Sequence, residues 1–396
     1  MKDLAKISPK ANPILLLILV PLLVRCNTPT MPPLPAPPPE AQLSVAVLLP
    51  TTGEMAVFGQ QLRHGLEMAF DEANNQGDMG EQRIQWQLYD SGCSYHTAGR
   101  AIRQAVGDGF QFIIGPLCTE AAIAAAEYAD TEPVLLIVPA ATHPLATVRE
   151  SGQPRATVFK ISPVLSSQGQ AAAQFAVAQL QAESGAVIAE TGDEYSTAVG
   201  RAFADRFSKS GGRLLGQATL NPYQPDIEAQ VKAVFGQKPQ ALFVPGTPAL
   251  INRVAVLLDE TWPADTNKPT LLGSDRWSAP DVKRELVENS YFTTYFALPP
   301  ESDHAQSWAR AYKAAYAIEP EPLAGLGYES ASVLLAAIRQ SQNVSPGVVA
   351  ETMQRDTFAG LTGPIQFDQQ HNPLRTIPML HLNDNQTEYF SNIQLE

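Results

Sequence analysis

The sequence predicts an α/β protein of two lobes, each built on a doubly wound sheet, and three observations predict it. The chain has 396 residues, too many for one compact core and suited to two of ordinary size. From Leu43 onward, short apolar runs alternate with amphipathic segments, the pattern of strands feeding crossover helices. Two of those runs end in Gly115-Pro116-Leu117-Cys118-Thr119 and in Pro139-Ala140-Ala141-Thr142. Such turns offer hydroxyls and free backbone groups beyond the carboxyl ends of strands, where ligands of open α/β sheets bind.

Each element follows from a local signal. Val45 to Leu49 is an apolar run closed by Pro50, a strand buried on both faces. Leu62, Leu66, Ala69, Phe70 and Ala73 recur at helical spacing between Gly59 and Asn75, and Gly77 supplies the stop. The strands Ile84 to Tyr89, Phe110 to Ile114 and Val134 to Val138 alternate with helices at Ala101 to Gly107 and Glu120 to Ala129. A second set opens after Phe159-Lys160-Ile161-Ser162. Its helices cover Ser167 to Gln181, Ala198 to Lys209, Ile227 to Phe235 and Ala249 to Asp259. Its strands are Ala186 to Glu190, Leu214 to Thr219, Ala241 to Val244 and Thr270 to Gly273. Beyond about Ala297, the helices Trp308 to Tyr316 and Tyr328 to Gln340 come with too few strands for a third lobe, so they return to the first.

A formal charge of −13 with no Lys/Arg cluster argues against a nucleic-acid partner and against a basic membrane-binding face. At the N-terminus, Lys2, Lys6 and Lys10 precede an apolar run from Pro13 to Val24, too short for a mature membrane span and fitted to a secretory segment. The run ends at Leu23-Val24-Arg25-Cys26, which resembles the site where bacterial lipoproteins are cleaved and acylated, with Arg25 where a small residue is usual. Residues 1–26 are thus read as a lipoprotein-type signal peptide, with Cys26 as the lipidation site. Asn27 to Ala41 carries seven prolines and reads as a semi-rigid polyproline II tether over residues 27–42, with a reach of roughly 45 Å.

With Cys26 assigned to lipid, Cys93 and Cys118 remain as an even pair in an exported chain. Each follows a predicted strand, so a bridge between neighbouring loops is geometrically open to them. Two free buried thiols are the alternative.

Leu49-Pro50-Thr51-Thr52-Gly53 with Phe58-Gly59, then Asp90-Ser91, then the two turns above open a longer series of motifs. Gly192-Asp193-Glu194-Tyr195, Gly273-Ser274-Asp275 and Gly327-Tyr328-Glu329-Ser330 continue it. In this order and spacing, from Val45 to about Leu382, they resemble the leucine/isoleucine/valine-binding branch of the periplasmic solute-binding proteins that serve ABC importers. The resemblance implies the type I periplasmic-binding fold: two Rossmann-like lobes joined by a three-segment hinge near Ile161, Phe296 and Gly363. Residues 43–161 with 297–363 then form lobe I, and residues 162–296 with 364–396 form lobe II. It also implies the Cys93–Cys118 bridge.

Carried over residue by residue, Thr119 stands where a hydroxyl meets the ligand carboxylate. Ala140, Ala141 and Thr142 match the segment that contacts carboxylate and ammonium. Phe58 falls where a Tyr lines the first lobe, Tyr195 where a Tyr closes over the ligand, and Asp275 where an acid pairs with the ammonium. Thr119 as a helix N-cap and Asp275 as a turn residue are the bland alternatives. Arg276 and Trp277 follow Asp275 where the branched-chain proteins are small, which makes them possible specificity residues, and Phe58 lacks the Tyr hydroxyl.

The resemblance implies no cofactor and no metal. It also implies an amino-acid ligand, an inner-membrane ABC permease as partner, contact with the membrane only through the lipid anchor, a monomer, and a place in the periplasm or cell envelope. No GxxxxGK[ST], HExxH, CxxC or GxSxG motif points to an enzyme. The rival function is an envelope lipoprotein or ligand sensor of the same fold that regulates a protein partner such as a penicillin-binding protein.

Overall fold

A computed structural model describes residues 42–80, 82–263 and 266–395. The predicted signal peptide, the tether and Cys26 lie outside them. β1 (Gln42–Leu49), α1 (Ala56–Gln76), β2 (Arg83–Asp90), α2 (Tyr95–Gly107), β3 (Phe112–Ile114), α3 (Thr119–Ala129) and β4 (Leu135–Val138) alternate as the sequence predicts, and a further short strand, β5 (Val158–Lys160), follows. Their strands form a five-stranded sheet in the order β2-β1-β3-β4-β5, parallel throughout. Successive side chains of a strand face opposite ways, and β1 shows it. Val45, Val47 and Leu49 join one core with α1 residues, while Ala46 and Leu48 join another with residues of α2 and α3.

The second set comprises α4 (Ser166–Ala178), β6 (Ser184–Glu190), α5 (Glu194–Lys209), β7 (Arg213–Leu220), α6 (Ile227–Phe235), β8 (Ala241–Phe243), α7 (Pro248–Thr261), β9 (Thr270–Gly273) and β10 (Ser290–Thr293). After β10 come α8 (Asp303–Tyr316), α9 (Pro322–Gln340), α10 (Pro346–Arg355), β11 (Phe358–Gly360), β12 (Gly363–Phe367) and β13 (Pro373–Leu374). The chain ends with β14 (Ile377–Asn383) and β15 (Gln386–Ile393). The second sheet has seven strands in the order β15-β14-β10-β9-β8-β6-β7. It is parallel from β10 to β7 and antiparallel where β14 and β15 join.

Helices α8, α9 and α10 return to the first lobe: Trp308, Tyr312, Leu334 and Met353 share its core with Val47 and Phe70. The first passage between lobes is Ile161-Ser162, whose backbone N–H groups bond to Val138 and Pro139. The second runs through Thr294 to Phe296, where Phe296 enters the first-lobe core. The third lies later than Gly363. Ile365 and Phe367 of β12 are buried with the first lobe, and Phe159 packs edge-on against Phe367. The chain crosses only around Arg375, before Ile377 pairs with Ile393 in the second sheet.

A buried ion pair ties this hinge together. Arg375 and Glu329 have side chains only 2% and 1% exposed, and the guanidinium donates to both carboxylate oxygens at 2.8 and 3.0 Å. Arg375 also reaches the Ile161 carbonyl and the Thr362 hydroxyl, while Glu329 accepts the N–H of Leu361. One salt bridge thus fastens α9, the first passage and the third.

Candidate functional site

The strand orders place the site. In the first sheet the order reverses between β1 and β3, and in the second between β6 and β8. Ligands of such sheets bind beyond the carboxyl ends of the strands at these switch points. Every candidate residue lies just past such an end.

On the first lobe, β3 runs into Gly115, whose φ is +120° and whose missing Cβ would stand 2.0 Å from the Leu48 carbonyl oxygen. Only glycine lets the chain pass β1 there. Cys118 then caps α3 from an extended conformation without a side-chain bond, and Thr119 is the first helical residue, so Thr119 is not the N-cap. Its N–H belongs to the first turn, whose donors have no partner within the helix. Cys118 is joined to Cys93 by a disulfide, with Cα atoms 5.2 Å apart, which fastens the α3 start to the turn after β2. That turn is itself braced by Asp90, which accepts from Thr51 N–H, the Thr52 hydroxyl and Gly92 N–H at 2.9, 2.7 and 3.0 Å. Burial works against the Asp90 charge, but these donors together hold its pKa below the usual value.

The Ala140–Thr142 turn follows β4 and is held from beneath. Ser162 donates to the Ala141 carbonyl at 2.9 Å. The Lys160 ammonium, fully buried, reaches the Thr142 carbonyl at 3.3 Å. Desolvation lowers the Lys160 pKa to about 8, with Asp368 pulling the other way. Phe58 stands in the first turn of α1 and is 40% exposed.

On the second lobe, Tyr195 opens α5 and Asp275 follows β9, and the Tyr195 hydroxyl donates to Asp275 Oδ1. The same oxygen accepts from Gln168 Nε2 at 2.9 Å, while Asp275 N–H returns a bond to Gln168 Oε1 at 2.7 Å. Gln168 is fully buried. Burial pushes the Asp275 carboxyl above its ordinary pKa, against the pull of Tyr195, Gln168 and Arg276. The Tyr195 hydroxyl is pushed up in turn, by burial first and by Asp275 second.

Arg276 is committed. Its guanidinium pairs with Asp193 at 2.5 Å and lies 4.1 Å from the centre of the Tyr195 ring, a cation–π arrangement that braces this tyrosine. Burial opposes the Asp193 charge, yet Arg276 and backbone N–H donors keep its pKa low. Trp277, read from the sequence as a possible specificity residue, is instead part of the core. It is 1% exposed, packs among Leu250, Val254 and Phe292, and gives its indole N–H to the Val244 carbonyl at 2.9 Å. The reason is steric: Gly273 has no Cβ, and one there would lie 2.3 Å from the indole, so the short turn after β9 folds Trp277 inward.

Two residues of the cluster escaped sequence reasoning, Gln168 and Tyr295. Tyr295 sits on the second passage, two residues after β10, and burial first, then the nearby Asp275 charge, push its hydroxyl pKa up. The structure therefore brings Tyr195, Gln168 and Asp275 of the second lobe together, while Thr142 stands in the turn after β4 of the first. Thr119, Ala140 and Phe58 stand at neighbouring strand ends of the first sheet, outside this hydrogen-bonded group. The Tyr295 signal, an aromatic in the apolar stretch Tyr291 to Phe296, reads as core in a one-dimensional pattern. Among the described residues, no group of three or more His, Cys, Asp or Glu is placed to hold a metal ion.

The second lobe carries a desolvated acid bonded to a tyrosine and a glutamine, and the first carries a threonine turn with helix-start donors alongside. Such a site can hold a small zwitterion, because each buried charge meets a partner of opposite sign or a hydrogen bond.

Comparison with known proteins agrees with this architecture. A Leu/Ile/Val-binding protein of Rhizobium johnstonii is 24% identical over 211 residues, which span 53% of this chain and 56% of that protein. A leucine-, isoleucine-, valine-, threonine- and alanine-binding protein of Pseudomonas aeruginosa is 22% identical over 340 residues, 83% of this chain and 86% of that one. The crystal structure of a leucine-binding protein from Thermotoga maritima superposes with a TM-score of 0.65 at 25% identity, covering 89% of this chain and 99% of that one. The fold is the type I periplasmic-binding fold. The sequence model of the periplasmic binding protein family matches residues 42–387, and the chain belongs to that family.

Proposed function

We propose that the chain is the extracytoplasmic solute-binding component of an ABC importer and captures an amino acid, branched-chain or related, in the cleft between its lobes. The observation that carries this reading is the buried Asp275 held by Tyr195 and Gln168 on the second lobe, with the Ala140–Thr142 turn at a strand end of the first. It supplies a hydroxyl and backbone groups for one end of a zwitterion and a buried acid for its ammonium. Relatives named for leucine, isoleucine and valine binding support the ligand class.

Thr119 and the Ala140–Thr142 turn take the α-carboxylate, and Asp275 takes the ammonium. Phe58 flanks the ligand from the first lobe, and Tyr195 closes over it from the second. Arg276 is already paired with Asp193, which favours a neutral side chain over an acidic one. The ligand meets the first lobe, and contacts from the second favour the closed form, since only such differential contact shifts the equilibrium. The closed form then docks on a membrane permease whose ATPase drives uptake. The protein is a binding protein and not an enzyme. It works as a monomer in the periplasm or cell envelope, tethered through a lipid on Cys26.

Thermal unfolding of the ligand-stripped chain against a panel of amino acids tests this reading. Saturation at about 1,000 times Kd adds about 4 kcal/mol to stability, so a branched-chain or related ligand raises the melting temperature measurably. No shift with any amino acid overturns the reading and redirects the search to protein partners in the envelope.

A further inference from the structure

Lys160 is fully buried and closes β5 at the first passage between the lobes. Its ammonium has three N–H donors, yet the side-chain bond it makes is the 3.3 Å contact with the Thr142 carbonyl. The neighbouring carbonyl, that of Ala141, is held at 2.9 Å by the neutral hydroxyl of Ser162. A neutral donor therefore suffices to fix this turn. Burying a charge for one such bond is costly, so the charge of Lys160 has a role that anchoring a carbonyl does not explain.

That role lies in what the turn presents to a ligand. The Ala141 and Thr142 carbonyls are engaged from the first passage. Among the described residues, no carbonyl accepts from the N–H groups of Ala140, Ala141 or Thr142. The turn thus offers donors, with a buried positive charge behind them, and a carboxylate is drawn to both.

Among the described residues, no carboxylate is bonded to that ammonium. Asp368 acts on Lys160 through space, but its oxygens accept from Gln370 N–H, Asn372 N–H and Asn372 Nδ2. His371, whose carbonyl accepts the Lys160 N–H, stacks on Phe159, and burial lowers its pKa, so it stays neutral near pH 8. Arg155 pairs with Asp130 and Arg375 with Glu329, while His143, next to Thr142, accepts the Leu145 N–H. Burial lowers the Lys160 pKa to about 8, so near that pH the ligand-free protein holds the proton only in part. A carboxylate arriving at Thr142 favours the charged form, and binding then draws a proton from solvent.

We propose that Lys160 is the positioning residue of the carboxylate side of the cleft, its buried charge acting on the ligand through the Thr142 turn and its protonation coupled to ligand binding. This rests on the amino-acid reading above. The sign is definite. Affinity is full while Lys160 is charged in the free protein and falls as pH rises through its ligand-free pKa.

The test titrates full-length, ligand-stripped wild type, Lys160→Arg and Lys160→Met calorimetrically with L-leucine and L-valine from pH 7 to pH 9. Each pH is run in Tris and in HEPPS, whose different ionisation enthalpies reveal protons exchanged on binding. The wild type should take up roughly half a proton per ligand at pH 8 and lose affinity about tenfold between pH 7 and pH 9. Lys160→Arg keeps a permanent charge, so it should bind without that uptake and without that loss. Lys160→Met should bind roughly tenfold or more weakly at pH 7, again with no uptake. The ammonium of the ligand titrates equally in all three experiments and cancels from the comparison. A wild type that binds neither amino acid defeats the amino-acid reading and this proposal with it. A wild type that binds with no proton uptake at pH 8 and constant affinity to pH 9 defeats this proposal alone, whether or not the variants fold. So does uptake in Lys160→Arg equal to that of the wild type, which would assign the proton to another group.

Discussion

Asp275→Asn isolates the charge at the centre of the cleft. In the wild type, Oδ1 accepts the Tyr195 hydroxyl and, at 2.9 Å, Gln168 Nε2. The amide oxygen of Asn accepts both, so the substitution leaves the local bonds in place and removes the negative charge. Arg276 is not orphaned, because its salt bridge is to Asp193. Two consequences separate. Truncating one partner of a buried, hydrogen-bonded charge pair costs about 2–5 kcal/mol, so affinity for an amino-acid ligand should fall roughly 30-fold or more. The ligand-free protein should be no less stable, because burial opposes this carboxylate in the empty site and raises its pKa.

The pH dependence follows with a definite sign. The ligand ammonium pairs with ionised Asp275, so below its raised pKa the ligand must first displace a proton. Wild-type affinity therefore falls as pH drops through a value above the ordinary Asp pKa of about 3.9, and Asp275→Asn flattens that limb. Isothermal titration from pH 7 down to pH 4 reads both effects. Binding by Asp275→Asn within threefold of wild type at pH 7, or an unchanged acid limb, would refute the pairing.

Two further predictions concern the frame that holds the site. Glu329→Gln breaks the buried pair with Arg375 while leaving a similar volume, and should cost about 3–5 kcal/mol in urea unfolding; a loss below 1 kcal/mol would remove the pair from the hinge account. Lys160 has a native pKa lowered to about 8 by burial, against about 10.4 in the unfolded chain. The native state thus binds its proton less tightly, and stability should rise by roughly 3 kcal/mol between pH 8 and pH 10.4 through this group. Lys160→Met should abolish that rise, and a persistent rise in the variant would assign it to another residue.

The sequence already carries most of the fold. The helix Ile227–Phe235 and the strand Thr270–Gly273 emerge at their observed limits, because apolar period and flanking breakers act locally. The strand Val158–Lys160 is harder to read, being three residues long and ending in a buried lysine whose partner, the Thr142 carbonyl, is eighteen residues away. The third passage lies later than the motif near Gly363 suggests, because the burial of Ile365 and Phe367 depends on Phe159, some two hundred residues upstream. The first-lobe turns are legible as strand ends with hydroxyls. Gln168 and Tyr295 are not, because their chemistry exists only once Asp275, 107 residues from Gln168, folds against them. Trp277 misleads for the converse reason: a residue next to a polar turn looks exposed until the missing Cβ of Gly273 makes room for it.

The most direct test of the amino-acid reading is a crystal structure of the chain with the amino acid that raises its melting temperature most. The account predicts electron density between the lobes, with the α-carboxylate at Thr119 and Thr142 and the ammonium at Asp275. A ligand bound elsewhere, or one lying in the cleft with its ammonium turned away from Asp275, would contradict it.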